Sequence, residues 1–316
     1  MVNTFNNHRV KIFLIVIGFI IIGILLRFFI IPNTVFFKET IKKPIIVTSF
    51  SVISDITKEI TGDTVKIKTI VGVDQDPHMY QPVPNDLKLI TRSRMFILNG
   101  MGLEGWSNGI ISSTKYKKPI VNASKSCINK ARVMLIASNG ETVYDPHLWH
   151  DVSCIIKYVE VITKELIKEF PENKDLYTEN SKKYINKLNN LDQWCIEKFN
   201  SLKNKHVVTT HDAFYYYGAR YGVKFYSPIG VSTESQASAK DVARIIEIIK
   251  KYKIKSIFIE QNTNGNIIKQ IVNEIKNADL SGVLFSDSLS KSGGPADTYI
   301  KMIKHNTITI INSIES

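Results

Sequence analysis

Eight short apolar, β-rich runs constrain this 316-residue chain more than any other feature. Four stand early, KPIIVTSF (43–50), TVKIKTIVG (64–72), MFILNG (95–100) and KPIVNAS (118–124), and four stand late, HVVTT (206–210), VKFYSPIG (223–230), IKSIFIEQ (254–261) and SGVLFSDS (281–288). Each run borders a helix-length amphipathic stretch. Continuous apolar strands alternating with helices predict parallel sheets covered on both faces. From about His147 to Lys205 no strand signal appears. Within that stretch Tyr184, Leu188, Leu191, Cys195, Phe199 and Leu202 step by three or four, which predicts one stripe of a long helix. FPEN (170–173) breaks it from the helix before. The expected fold class is α/β, with two lobes of roughly four parallel strands and flanking helices, joined by a long helix. The expected divisions are an N-terminal lobe over 41–170, a linking helix over 171–204 and a C-terminal lobe over 205–316.

Ahead of these lobes, Ile12 to Ile31 is apolar except for Arg27, and Arg9 and Lys11 precede it. A basic flank before an apolar run of that length predicts a transmembrane or signal segment over residues 1–40, with everything after it outside the cytoplasmic membrane. The first alanine is Ala123, so no small-residue cleavage site follows the run, and an uncleaved signal anchor is favoured over a removed signal peptide. Residues 1–43 hold six basic residues and one acid, leaving +7 of the +12 net charge for the rest. Those lysines are interspersed with acids on helix-like stretches, with no basic stripe and no interleaved aromatics, so no nucleic-acid partner is expected. The three cysteines, Cys127, Cys154 and Cys195, form no Cys-x-x-Cys pattern. A disulfide framework is excluded, while a single pair stays open without support.

Asp-Pro-His occurs twice, in QDPHMYQP (75–82) and YDPHLWHD (144–151). Proline lacks an N–H and holds the residue before it extended, so each Asp-Pro sets a histidine on a stiff loop base. His78 follows one strand, His147 follows the first lobe's last strand, and His211 and Asp287 each end a strand in the second lobe. Loops past the carboxyl ends of parallel strands build the binding crevice of such sheets. His78, His147, His211 and Asp287 are therefore the expected metal ligands, two from each lobe, suiting zinc, manganese or iron. Asp76 and Asp145 are placed to bond loop amides or to orient an imidazole. His150, three residues past His147, is the nearest rival ligand. Glu260 and Glu234 could add an oxygen, but a place behind the ligands or at the surface is expected; His206 and His305 are read as structural, and His8 as cytoplasmic flank. Asp212 could cap the helix that follows it.

These segments resemble the periplasmic metal-binding proteins of zinc and manganese ABC transporters, the cluster A-I solute-binding family, over nearly all of residues 44–316. DPHMYQPVPNDLKLITRSRMFILNGMGLEGW, DPHLWHDV, THDAFYYYGARYG with GVSTESQASAKD, and FSDSLSKSGGPADTYIKMIKHN are similar to its four metal segments. The resemblance implies that one zinc or manganese ion, with iron admitted, is held in the cleft by His78, His147, His211 and Asp287. It also implies delivery to an ABC permease from a monomeric, extracytoplasmic protein that is not an enzyme. Members often carry a lipid-modified N-terminal cysteine, absent here, so a tether would rest on the apolar segment. Zinc-dedicated members often carry a histidine-rich loop between the first two ligands, and residues 79–146 hold no histidine. Manganese members often have glutamate as third ligand, where this chain has His211. A metal-dependent adhesion protein is the alternative function. A zinc hydrolase is less favoured, because Asp287 closes the open position that catalysis needs and no His-Glu-x-x-His is present.

Overall fold

The computed structural model describes residues 3–30, 43–136, 140, 142–275 and 279–316, and within the first of these side chains only over 11–24. The strands, in chain order, are β1 (Ile45–Phe50), β2 (Lys66–Val71), β3 (Met95–Leu98), β4 (Ile120–Asn122), β5 (Val133–Ile136), β6 (Thr142–Tyr144), β7 (His206–Val208), β8 (Lys224–Tyr226), β9 (Phe258–Glu260) and β10 (Gly282–Leu284). The helices are α1 (Asn3–Ile30), α2 (Ser51–Thr61), α3 (Pro84–Arg92), α4 (Ser107–Thr114), α5 (Val152–Glu169), α6 (Lys174–Asn200), α7 (Tyr215–Tyr221), α8 (Ala239–Tyr252), α9 (Asn266–Asn273) and α10 (Tyr299–Glu315).

Residues 1–42 and 43–316 are separate units. In the first, α1 takes up the apolar run as far as Ile30, and Ile12, Phe13, Phe19 and Ile20 are exposed along it. Among the described residues no helix is long and apolar enough to cross a membrane. Residues 31–40 of the expected transmembrane or signal segment lie outside the described residues.

The second unit begins with a parallel four-stranded sheet in the order β2-β1-β3-β4. Its strands are those expected from the early runs. β1 lies inside it, with Ile46, Val47, Phe50, Phe96 and Ile97 fully buried, which is why these runs read as continuously apolar. The later runs give four parallel strands of three residues each, paired β7 with β8 and β9 with β10. One parallel bridge, Val208 to Ile257, joins the pairs, so the expected second sheet is two short ladders rather than one continuous sheet. β8 runs directly into Ser227-Pro228, and proline has no N–H with which to extend the ladder.

One element was not anticipated. Between β4 and His147 the chain forms a 3-10 turn (Ala123–Lys130) and then an antiparallel hairpin, β5 with β6. His147 therefore follows β6, not the last strand of the first sheet. Asn139-Gly140, between VMLI and TVY, was the sequence signal for it.

α5 ends at Glu169, and Pro171 opens a 3-10 turn before α6. α6 buries Tyr184, Leu188, Leu191, Cys195 and Phe199, the expected stripe; Leu202 lies beyond its end. One buried core runs from Ile46 in β1 through α5 and α6 to Ile310 in α10, so both lobes pack on a shared interior. A second cluster fills the space between α8, α9 and the strands beside them. α8 is started by a reciprocal cap between Ser238 and Asp241.

Cys127 and Cys154 form a disulfide, the pair that the sequence left open, while Cys195 stays free and buried. It ties the 3-10 turn before the hairpin to α5. A cross-link over 27 residues restricts the unfolded chain by about 3–4 kcal/mol in the chain-entropy account. The Cys127→Ser/Cys154→Ser variant should unfold at lower urea by about that margin, and wild type in reductant should match it. A midpoint unmoved by reductant would contradict the pairing.

Candidate metal centre

The four expected ligands reach one point from four loops. His78 lies on the loop after β2, His147 opens the 3-10 turn Leu148–His150 before α5, His211 follows β7, and Asp287 follows β10. One nitrogen or oxygen from each lies within 4.8 Å of the others, with His147, His211 and Asp287 buried and His78 partly so. His147 Nε2 stands 3.3 Å from His78 Nε2, 3.4 Å from His211 Nε2 and 3.4 Å from Asp287 Oδ1. His211 Nε2 stands 3.2 Å from Asp287 Oδ2. Donors held tetrahedrally around one ion at bonds of about 2.0–2.1 Å would be about 3.3–3.4 Å apart. The four spacings made by His147 and His211 match that edge, and the whole donor set closes to within 4.8 Å. Both Asp287 oxygens face imidazoles, so a second carboxylate oxygen is available to raise the coordination number.

The loops are held to one another across the cleft. Trp149 Nε1 donates to Ser286 O at 2.9 Å, which ties the His147 turn to the loop bearing Asp287. Thr233 Oγ1 donates to Asp76 Oδ2 at 2.7 Å, and His78 N donates to Asp76 Oδ1 at 2.8 Å. Asp76 thus fixes the His78 backbone and leaves its ring alone. Asp145 serves the ring as well: its Oδ1 lies 2.8 Å from His147 Nδ1 and accepts from His147 N at 3.0 Å. Glu260 stands behind His211, accepting from its N–H at 2.8 Å and lying 2.5 Å from Nδ1 at an angle too oblique for an aligned hydrogen bond. A carboxylate behind Nδ1 puts the proton there and turns the Nε2 lone pair inward. For His147 and His211 that lone pair points at the shared centre.

Burial disfavours charge on His147, but Asp145 and Asp287 outweigh it and raise its pKa to about 9. His211, buried between Glu260 and Asp287, is likewise raised well above the usual imidazole range. Asp287, despite its burial, is held well below the usual carboxylate range by His211 and His147. His78, which lacks such backing, is lowered to about 3 by burial. Without a cation, the acids around the site favour protons on His147 and His211. A divalent cation could take the place of those two protons at nearly constant charge. Asp287 Oδ1 is buried with no hydrogen-bond partner among the described residues, the condition of an acceptor awaiting a cation.

His150 does not join this group. Its ring is buried against Phe214, 4.6 Å between centroids, and burial lowers its pKa to about 3. Glu234 is exposed. His206 bonds Tyr226 Oη at 3.0 Å and stacks on Tyr252, and His305 Nε2 donates to Val283 O at 3.0 Å. His8 lies outside the described side chains. Asp212 caps no helix. It pairs instead with Arg132, whose Nη2 lies 2.9 Å from Asp212 Oδ2 and 2.6 Å from Asp145 Oδ2. The sequence gave no sign of Arg132, which no motif surrounds.

Residues 46–313 match the family described as zinc-uptake complex component A, periplasmic. The manganese ABC transporter substrate-binding lipoprotein PsaA of Streptococcus pneumoniae is 32% identical over 282 residues, 85% of this chain and 88% of that protein. The manganese-binding lipoprotein MntA of Halalkalibacterium halodurans is 28% identical over 271 residues, with the same coverage. Among solved structures, the periplasmic zinc binding protein TroA from Treponema pallidum superposes with a TM-score of 0.80 at 29% identity, covering 86% of this chain and 99% of that one. A manganese-bound periplasmic metal binding protein from Candidatus Liberibacter asiaticus superposes at 0.75 with 27% identity, covering 86% and 100%. The chain belongs to the zinc-uptake complex component A family of periplasmic metal-binding proteins.

Proposed function

We propose that this protein captures one divalent metal ion outside the cytoplasmic membrane and hands it to an ABC permease for import. His78, His147, His211 and Asp287 are its ligands. The observation that carries this reading is the convergence of three imidazole nitrogens and one carboxylate to within 4.8 Å, with the His147 and His211 pairs at 3.2–3.4 Å and Asp287 Oδ1 lacking a hydrogen bond. Zinc and manganese both suit three imidazoles with a carboxylate of one or two oxygens, and iron is admitted. The relatives' names divide between the same two metals.

The ion is cargo, and the protein works as a monomeric binding protein rather than an enzyme. A catalytic metal needs an open position for water or substrate, and here Asp287 occupies it. The lobes divide the labour: residues 41–170 supply His78 and His147, 205–316 supply His211 and Asp287, and the helix over 171–204 spans them. Residues 1–40 act as the targeting segment, kept as a tether where they are not removed.

Metal must displace protons from His147 and His211, so affinity falls as pH drops. With both groups protonated in the empty site below about pH 8, the apparent Kd should rise by up to about a hundredfold per pH unit. Saturating zinc or manganese should therefore raise the unfolding temperature strongly at pH 7.5 and little at pH 5. Equal protection at both would count against imidazole ligation. The metal-free protein should show the opposite trend. A histidine whose folded pKa is raised to about 9 contributes stability that is full below pH 6.5 and lost as pH climbs toward 9.

Titration of the stripped protein should give one ion per chain and release about two protons per ion near pH 7, read in buffers of different ionisation enthalpy. His211→Ala should weaken binding at least a hundredfold, and Glu260→Gln by roughly ten- to a hundredfold. Glu260→Gln binding as tightly as wild type would exclude the backing role given to Glu260.

A further inference from the structure

We propose that Arg132 is a positioning residue that couples the two lobes at the metal centre and sets how long a captured ion stays. The inference rests on the metal-capture reading. One guanidinium nitrogen, Arg132 Nη2, lies 2.6 Å from Asp145 Oδ2 and 2.9 Å from Asp212 Oδ2. Asp145 belongs to the first lobe, and its other oxygen backs the His147 ring at 2.8 Å. Asp212 belongs to the second lobe and follows His211 directly in the chain. A single cation thus joins the carboxylate behind one ligand to the residue beside another, across the cleft that divides them.

Three further contacts fix the guanidinium at this place. It lies over the Tyr215 ring, 4.1 Å from the centroid. The Arg132 backbone N–H donates to Tyr216 Oη at 2.9 Å, and the Tyr216 hydroxyl donates to Asp145 O at 2.8 Å. Both tyrosines lie on α7, in the second lobe. Arginine suits the position because its planar guanidinium can lie on an aromatic face while one of its nitrogens pairs with both carboxylates; a lysine ammonium has no such plane to stack.

The two ends of the bridge differ. Asp145 is fully buried, so leaving it unpaired would be costly; Asp212 has a side chain about a third exposed and can be rehydrated. When the loops bearing His147 and His211 separate to release an ion, the ion pair breaks on the Asp212 side, and the guanidinium stays with Asp145. A contact of that kind adds to the barrier for opening without contributing a metal bond. The Asp76–Thr233 link also crosses the cleft, but it touches only the His78 backbone. The Arg132 bridge reaches a ligand ring.

The test is stopped-flow release of zinc and of manganese from the whole chain into excess chelator, for wild type, Arg132→Gln, Arg132→Lys and Asp212→Asn. Asp212→Asn removes only the cross-lobe half of the bridge and leaves Asp145 paired. It should speed release roughly fivefold to tenfold with association changed less than about twofold. Arg132→Gln should release at least as fast, Arg132→Lys should fall between it and wild type, and adding Asp212→Asn to Arg132→Gln should change nothing further. A merely structural role would lower the unfolding temperature of the metal-free variants and leave release within twofold of wild type, and that result overturns the proposal. So would an Asp212→Asn effect of full size in the Arg132→Gln background. Wild type that binds no ion overturns the capture reading and this inference together. Wild type that binds, with release unchanged in every variant, overturns this inference alone.

Discussion

Three imidazole nitrogens and a carboxylate are held closer together than they would choose to be. Lone pairs 3.3–3.4 Å apart in a buried site repel unless something positive lies between them. Much of the structure around the cleft exists to keep them there. Loops past four different strands supply the groups, Trp149 and Ser286 stitch two of those loops together, Asp145 fixes the His147 ring by its far nitrogen, and Glu260 holds the His211 backbone while lying against its ring. A core continuous from β1 to α10 gives these loops little freedom to relax apart. That rigidity fits a protein whose lobes share an interior better than one whose lobes swing on a flexible linker.

The charge balance follows from the same packing. Asp145, Glu260 and Asp287 crowd two of the rings and raise the affinity of those rings for protons when no cation is bound. A divalent ion substitutes for two protons with little change in net charge, which avoids burying uncompensated charge in either state. His78 stands apart from this exchange. Burial lowers its affinity for protons and keeps it a neutral donor.

Much of this was legible in the sequence because it follows local rules. Continuous apolar runs gave the first sheet, a three-four step gave the buried face of α6, and placement after strands brought His78, His147, His211 and Asp287 to one crevice. The rest depended on contacts between distant residues. Nothing local to IFIEQ indicated that Glu260 would stand behind a histidine 49 positions earlier. Nor did anything mark Arg132, whose two acidic partners lie 13 and 80 residues away. The second sheet's division into two ladders likewise depends on how neighbouring strands diverge. The β5–β6 hairpin is a different case, since its Asn-Gly turn signal was present between two β-rich runs.

The central claim concerns the first coordination sphere. X-ray absorption spectroscopy of the zinc-loaded and manganese-loaded protein tests it most directly. The account predicts three imidazole nitrogens and one or two carboxylate oxygens, at about 2.0–2.2 Å for zinc. A sulfur neighbour, or a shell made of oxygen alone, would contradict it.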